Sequence, residues 1–145
     1  MRKQGPLSAT VPVVVPFHDV DLMAVVWHGH YLKYLEAARW ALMERVGYGF
    51  EAMRDSGYLW PIIESHLRHI RPARFGERLD VTASLVEWQS RLVIHYLVID
   101  GATRERVARA RTVQVAVLRA SNELQFVCPP DFQRRIESSL AAAGT

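Results

Sequence analysis

The stretch HYLKYLEAARWALMERV, residues 30–46, decides the fold that we expect. Its apolar residues recur at intervals of four, three, four and four, which is the spacing of one face of an α-helix. Trp40 and Met43 widen the apolar arc, so that this helix is expected to be wrapped largely by other structure. Gly47 and Gly49 follow as helix-ending residues. The residues at the spaced positions are Tyr31, Leu35, Ala38, Leu42 and Val46.

Strand-like runs lie on both sides of this helix. From Val11 to Phe17 apolar residues alternate with period two, and Pro12 and Pro16 place that strand at an edge because proline cannot donate to a strand ladder. Four further runs follow the helix with short turns between them, which predicts an antiparallel meander. We therefore expect an α+β fold, a five-stranded antiparallel sheet wrapped around one long central helix. The four later runs are Leu59 to Ile70, Leu79 to Trp88, Leu92 to Ile99 and Arg106 to Leu118.

The chain of 145 residues fits one domain with its own core. Residues 1–10 mix Gly, Pro, Ser and Thr with charges and are expected to form a flexible tail, and residues 11–140 form the single domain. Short helices are expected from Glu51 to Ser56 and from Pro129 to Leu140. The alanine-rich residues 141–145 are expected to fray.

Composition narrows the function classes. Sixteen Arg and two Lys give a formal net charge of only +3 with no run of basic residues, which argues against a nucleic-acid surface. Cys128 is the only cysteine, so neither a disulfide nor a cysteine metal site is available. His66 and His69 would point to opposite faces of a strand, so no metal site is expected there. No run has the length of a signal peptide or a membrane span, so the expected location is cytoplasmic.

The segment FHDVDLMAVVWHGHY, residues 17–31, carries the ionisable residues that could do chemistry. Asp19 and Asp21 follow the first strand, and His28 and His30 stand at the mouth of the long helix. A helix N-terminus stabilises negative charge. The segment is therefore suited to hydrolysis through an oxyanion.

This motif resembles that of the hot-dog fold acyl-CoA thioesterases, in the group of 4-hydroxybenzoyl-CoA thioesterase and YbgC-like proteins. In that family an Asp-x-Asp is followed by an apolar bridge, an aromatic residue, His, and then Asn-Tyr. Here the pattern stands as Asp19-Val20-Asp21, a bridge of residues 22–26, Trp27, His28-Gly29 and His30-Tyr31. The later RPARFG, residues 71–76, is similar to a family turn, and the resemblance covers about Val11 to Leu118.

The resemblance implies a thioester hydrolase that cleaves acyl-CoA or acyl carrier protein thioesters, with Asp21 as nucleophile or general base and Asp19 as a structural acid. His28 would lie at the reacting centre, and the backbone N–H groups of His28 and Gly29 could hold the oxyanion. No metal and no cofactor are implied other than coenzyme A within the substrate. The motif leaves open the mechanism, the acyl group (aryl or fatty) and the carrier. Candidate substrate-binding residues are Phe17, Trp27, Tyr31, Arg71 and Arg74.

Departures from the family pattern bear on the acyl preference. Phe17 stands where the YbgC-like branch has tyrosine, His30 replaces asparagine, and the bridge residues Leu22-Met23-Ala24 are bulkier than usual. Arg68 and Arg91 join Arg71 and Arg74 as arginines near predicted turns that could meet the phosphates of coenzyme A.

Two other functions remain open on this scaffold. A hot-dog dehydratase or hydratase would act on related thioesters, but its Asp-x-Asn-Pro-x-His signature is absent from this sequence. A non-catalytic acyl-thioester-binding domain would not need Asp21 and His28. The family also implies a homo-oligomer, a dimer or a tetramer, with sheets joined side by side and sites built from both subunits. An open sheet edge favours such assembly on physical grounds.

Overall fold

The computed structural model describes residues 7–143, and these form one five-stranded antiparallel sheet with a long helix against it. In spatial order the strands of the sheet are β1 (Ser8–Val14), β4 (Arg78–Glu87), β5 (Leu92–Asp100), β6 (Arg106–Gln114) and β3 (Ile62–His69). The predicted α+β class, with a five-stranded antiparallel sheet and one long helix, is confirmed. The long helix is α1 (Tyr31–Arg45).

Helix α1 packs on the inner face of the sheet, against β1 and β4. Alternate residues of β4 and β5 supply that face, because successive side chains of a strand point to opposite sides. Glu36 on the opposite side of α1 stays exposed, so the helix is covered on one side instead of being fully wrapped. The fully buried residues at this contact include Leu42, Leu79, Val81, Ile94 and Val98.

Two of the predicted strands are interrupted in the structure, and their outer ends belong to a second, three-stranded sheet. The run from Leu59 to Ile70 is broken at Trp60-Pro61, and the run that begins at Arg106 ends at Gln114. The outer pieces pair with each other and with a third short strand, in the order β2-β7-β8. These strands are β2 (Tyr58–Leu59), β7 (Val117–Leu118) and β8 (Glu123–Leu124).

Regular secondary structure extends past the predicted domain bounds at both ends. Ser8, Ala9 and Thr10 were assigned to the flexible tail but belong to β1, where they pair with β4, because the alternating pattern begins before Val11. At the other end the helix reaches Ala143, beyond the predicted stop at residue 140. The rest of the predicted tail, residues 1–6, and residues 144–145 lie outside the described residues.

Two further helices complete the fold: α2 (Phe50–Asp55) and α3 (Pro130–Ala143). Helix α3 covers the core with Phe132, whose ring packs against those of Tyr48 and Trp60 at centroid distances of 4.9 and 4.8 Å. Cys128 is buried at the entry to α3.

Candidate active site

The motif segment folds into a tight hairpin that leads directly into α1. A 3₁₀ turn at Phe17–Asp19 precedes the first arm, Val20 and Val26 pair across the hairpin, and a second 3₁₀ turn at His28–His30 opens the helix. At the tip the Asp21 N–H donates to Val25 O at 2.9 Å. The apolar bridge is therefore a hairpin loop that projects from the sheet.

Asp21 stands at the start of this loop and holds it with one of its two carboxylate oxygens. Its Oδ1 accepts a hydrogen bond of 2.8 Å from the Met23 N–H, an Asx turn that also supports the positive φ of 62° at Ala24. Its Oδ2 has no hydrogen-bond or ion-pair partner among residues 7–143. One oxygen therefore fixes the carboxylate while the other remains available to a ligand.

Asp19 is placed quite differently, because it is buried and fully bonded. Its Oδ2 accepts a 2.6 Å hydrogen bond from the Tyr34 hydroxyl, and its Oδ1 lies 2.9 Å from the Lys33 ammonium. Burial alone would raise the pKa of Asp19, but the hydrogen bonds from Tyr34 and Lys33 and the charges of Lys33 and His30 outweigh it and lower that pKa. Asp19 thus ties the hairpin to the first turns of α1, which is a structural role.

The helix mouth presents unpaired backbone donors. The N–H groups of His28 and Gly29 have no acceptor within the described chain, as expected for the first residues of a helix. The Trp27 ring lies beside them, at centroid distances of 5.0 Å from His28 and 5.3 Å from His30. A side chain at Gly29 would overlap the Trp27 ring, so glycine allows the indole to cover this turn.

Asp21 and His28 are not joined by any hydrogen bond or ion pair among the described residues. Asp21 pairs with Val25 at the hairpin tip, and His28 follows Val25 by three residues, roughly 10 Å of extended chain. Within the described chain the His28 side chain therefore makes no hydrogen bond to the Asp21 carboxylate, and the place of His28 at the reacting centre stays a prediction. The separation leaves room for a reacting group between the carboxylate and the helix mouth.

Tyr31 belongs to the core, and its role in substrate binding stays a prediction. It is 2% exposed, its ring packs on His69 at 4.9 Å, and its hydroxyl accepts a 3.3 Å hydrogen bond from the Ala73 N–H. Burial raises the pKa of Tyr31. Tyr31 fixes α1 against the turn that follows β3.

Arg71 is also engaged with other residues of the protein, and its predicted role in substrate binding stays a prediction. Its Nε donates to Glu105, and its two Nη atoms donate to Glu77, Asp100 and the Pro72 carbonyl. Because a guanidinium has five N–H groups, these bonds leave none for a phosphate. The hydrogen bonds that Arg71 donates to Glu77 are the main reason that the pKa of Arg71 is raised.

The other candidates for substrate binding remain accessible. Arg74 is exposed, and its guanidinium has no partner among residues 7–143. Phe17 is exposed and packs edge to face against Phe75, with ring centroids 5.6 Å apart. Leu22 and Met23 at the hairpin tip are exposed as well. Together they give the site an apolar outer surface.

A cavity of about 320 Å³ opens between α1 and β3. It follows α1 from Leu32 in the first turn to Arg39, and its inner wall holds the Tyr96 hydroxyl, 2.7 Å from the Thr112 hydroxyl. Arg39 is 8% exposed and pairs with Glu36 at 2.7 Å. The cavity thus combines apolar walls with polar groups at its inner end. The remaining lining residues are Lys33, Leu35, Ile62 and Ser65.

Sequence reasoning missed several residues of this site. Lys33 and Tyr34 were not recognised as partners of Asp19, although their place in the first turn of α1 next to an Asp-x-Asp was a usable signal. The sequence contains no comparable signal for the cavity residues Arg39 and Tyr96, because only the fold brings α1 and β5 together.

Across residues 7–143 no three His, Cys, Asp or Glu side chains are close enough to share a metal ion. His66 and His69 lie on opposite faces of β3, as the strand period predicts: His66 lines an outer groove and His69 packs on Tyr31. None of the described helices is long and apolar enough to cross a membrane.

Comparison with known proteins identifies the family. The model of the thioesterase-like superfamily matches residues 15–136. The Bacillus subtilis protein YneP, provisionally named an acyl-CoA thioesterase, is 24% identical over 115 residues, which cover 79% of this chain and 83% of YneP. The hypothetical protein TT1821 of Thermus thermophilus is 30% identical with a TM-score of 0.79, over 90% of this chain and 98% of that one.

A solved 4-hydroxybenzoyl-CoA thioesterase has the same fold, with a TM-score of 0.74 at 19% identity over 90% of this chain and 98% of that one. The chain therefore belongs to the thioesterase-like superfamily and has the hot-dog fold. The resemblance inferred from the motif is confirmed, and with it the class of activity, a hydrolase of acyl-CoA thioesters.

Proposed function

We propose that Asp21 carries out the hydrolysis of an acyl-CoA thioester at the hairpin and helix mouth. The observation that supports this choice is the free Oδ2 of Asp21, in contrast to Asp19, both of whose oxygens are bonded. Asp21 Oδ2 attacks the thioester carbonyl to give a mixed anhydride, which water then hydrolyses, or it removes a proton from an attacking water. In both cases the thiolate of coenzyme A leaves.

The backbone N–H groups of His28 and Gly29 stabilise the oxyanion. They are unpaired and stand at a helix N-terminus, where partial positive charge favours an anion. The carbonyl of the substrate would lie between these donors and Asp21. The reaction requires no metal or organic cofactor, and we place the enzyme in the cytoplasm, where acyl-CoA is available.

The cavity between α1 and β3 suits an acyl group of modest size. Its volume of about 320 Å³ lies near the lower end of the range for small-molecule sites. Arg39, Tyr96 and Thr112 at its inner end favour an acyl group that carries a hydrogen-bonding substituent over a long saturated chain. An aryl or short hydroxylated acyl group meets both conditions.

The active assembly that we propose is a homodimer or a tetramer built from two such dimers. Strand β3 is an open edge of the sheet, and its residues Ile62 and Ile63 are exposed together with Leu32 of α1. An unpaired edge with exposed apolar residues is stabilised by pairing with a second copy. A protein that sediments as a monomer at micromolar concentration would contradict this assembly.

The test of the activity compares wild type with Asp21→Asn on a panel of aryl-CoA, short and long acyl-CoA and acyl carrier protein thioesters. We expect kcat/KM to fall by at least about 100-fold, the size of a lost base or nucleophile. Asp55→Asn, an exposed acid on α2, is the matched control and should retain full activity. Equal thiol release by wild type and Asp21→Asn would contradict the role of Asp21.

A single-turnover reaction in H₂¹⁸O tests for the anhydride, because label in the Asp21 carboxylate identifies that path. The anhydride path places label in the Asp21 carboxylate whenever water attacks the aspartyl carbonyl, whereas the general-base path places all label in the released acid. Mass spectrometry of the peptide that contains Asp21 reads the difference.

A further inference from the structure

The cavity between α1 and β3 holds a buried cation, the guanidinium of Arg39. The Arg39 side chain is 10% exposed and lines this cavity of about 320 Å³. Glu36 is its ion-pair partner, through one contact of 2.7 Å from Nη2, and no second carboxylate among residues 7–143 pairs with it. Because a guanidinium has five N–H groups, this contact leaves most of them for other acceptors.

Glu36 balances the charge of Arg39 only in part. The Glu36 side chain is 58% exposed, so water screens its carboxylate, whereas the guanidinium lies inside the protein. A buried charge is unfavourable unless it is paired and hydrogen-bonded. Lys33, which also lines the cavity, is already paired with the buried Asp19 at 2.9 Å. The inner end of the cavity therefore favours a further negative charge.

Hydroxyl groups stand beside the guanidinium on the inner wall of the cavity. The Tyr96 and Thr112 hydroxyls are 2.7 Å apart, and Ser65 lies opposite Thr112 in the β3–β6 register. Only one hydroxyl hydrogen is used between Tyr96 and Thr112, so this pair retains a second donor. Burial raises the pKa of Tyr96, and the Thr112 hydrogen bond and the nearby Arg39 charge oppose part of that rise. Together these groups can donate to both oxygens of a carboxylate.

The cavity also has a suitable length, measured along α1 from the helix mouth. The Arg39 guanidinium lies at the level of Glu36, because the two side chains are bonded. Glu36 is seven residues beyond Gly29, which corresponds to about 10 Å along an α-helix. A chain of about six carbons, or a benzoyl group with a para substituent, covers this distance with hydrogen bonds at both ends.

We propose that Arg39 selects acyl groups that end in a carboxylate, so that the preferred substrates are coenzyme A thioesters of dicarboxylic acids. The free carboxylate of the acyl group binds the Arg39 guanidinium and the hydroxyls of Tyr96 and Thr112, while the thioester carbonyl lies at the helix mouth. This inference rests on the proposed function and narrows it, because a buried guanidinium favours an ionised substituent over a neutral one.

Matched pairs of thioesters measure this selection. Adipyl-CoA and hexanoyl-CoA have the same chain length, and only the first ends in a carboxylate; 4-carboxybenzoyl-CoA and benzoyl-CoA are the aromatic pair. We expect wild type to prefer the acid in at least one pair by about tenfold or more in kcat/KM, because hydrogen bonds between charged groups are the stronger ones. Arg39→Gln should lose this preference. The control Arg134→Gln, at an exposed arginine of α3, should keep it.

Three results would overturn the proposal. They are equal kcat/KM for the acid and the unsubstituted thioester in both pairs, a preference that Arg39→Gln retains, and a wild type that prefers 6-hydroxyhexanoyl-CoA and 4-hydroxybenzoyl-CoA to the corresponding acids. If Arg39→Gln does not fold, Arg39→Lys takes its place. Lysine keeps the charge without the guanidinium fork, so the preference should fall several-fold, and an unchanged preference would count against Arg39.

Binding of inert analogues separates this inference from the proposed function. S-(5-carboxypentyl)-coenzyme A and S-hexyl-coenzyme A are thioethers of matched length that the enzyme cannot hydrolyse. By calorimetry we expect wild type to bind the first at least about tenfold more tightly, and Arg39→Gln to bind both equally. If wild type binds selectively but hydrolyses no thioester, the proposed function fails while the selection by Arg39 stands. If thioesters are hydrolysed but both thioethers bind equally to wild type, the function stands and this inference fails.

Discussion

Asparagine in place of Asp19 tests whether this buried acid holds the hairpin against α1. Both carboxylate oxygens accept hydrogen bonds, from the Tyr34 hydroxyl at 2.6 Å and from the Lys33 ammonium at 2.9 Å. An asparagine keeps one oxygen acceptor, but its NH₂ group faces either the Tyr34 hydroxyl or the Lys33 ammonium. Because an NH₂ group cannot accept a hydrogen bond, one of the two contacts is lost. We expect the free energy of unfolding to fall while the fold is kept.

The size of this loss follows from the two contacts. A hydrogen bond to a charged group contributes about 1.5–3 kcal/mol. The Lys33 side chain is 54% exposed and regains water, so its share is at most about 1 kcal/mol. The sum is a loss of about 1.5–4 kcal/mol, which for a domain of this size lowers Tm by roughly 3–16 °C.

The loss should also depend on pH in one direction. Because the folded-state pKa of Asp19 lies below its ordinary value, ionised Asp19 stabilises the protein above about pH 4, the pKa in the unfolded chain. This contribution disappears as the pH falls through the folded-state pKa. The difference between wild type and Asp19→Asn should therefore be constant near neutrality and shrink below about pH 4.

Urea unfolding at several pH values measures both effects. Asp55→Asn, whose side chain is 68% exposed, is the control and should change the free energy of unfolding by less than about 0.5 kcal/mol. A loss at Asp19 below about 0.5 kcal/mol, or one that does not change between pH 7 and pH 3, would refute this account of the buried acid.

Two further substitutions probe the neighbourhood of the site. Arg71→Gln leaves three carboxylates without their shared guanidinium, so we expect the free energy of unfolding, measured with urea, to fall by about 2–4 kcal/mol. If Arg71→Lys were as stable as wild type, bidentate binding by the guanidinium would not be the cause of this loss. Gly29→Ala pushes the Trp27 ring away from the helix mouth, so kcat/KM should fall and the tryptophan fluorescence should shift at an almost unchanged urea midpoint. Unchanged kcat/KM would show that the position of Trp27 does not matter to the reaction.

Periodicity was sufficient for most of the fold. The helix spacing from Tyr31 to Val46 and the alternation in β4 and β5 depend on burial of one face, which local sequence records directly. The three-stranded sheet was missed because each of its strands has only two residues. These strands form only because β7 pairs with β2 on one side and with β8 on the other. Such pairing joins segments that are far apart in the sequence, so no local pattern predicts it.

The site was predictable in part for the same reason. The motif identified Asp21, His28 and the helix mouth because they are neighbours in sequence. Arg71 and Arg74 come from one turn and looked equivalent, yet of their two guanidinium groups only that of Arg71 binds carboxylates. One of these carboxylates, Asp100, is 29 residues away in the sequence. Their different environments are set by the fold.

The buried thiol at the entry to α3 makes this protein convenient to assay. Burial raises the pKa of Cys128 to about 12, so the only cysteine of the chain is neither ionised nor accessible in the folded state. A colorimetric thiol reagent would then count coenzyme A released by turnover without a background from the enzyme. Its slow reaction with Cys128 in the absence of substrate would time the local opening of α3 from the core.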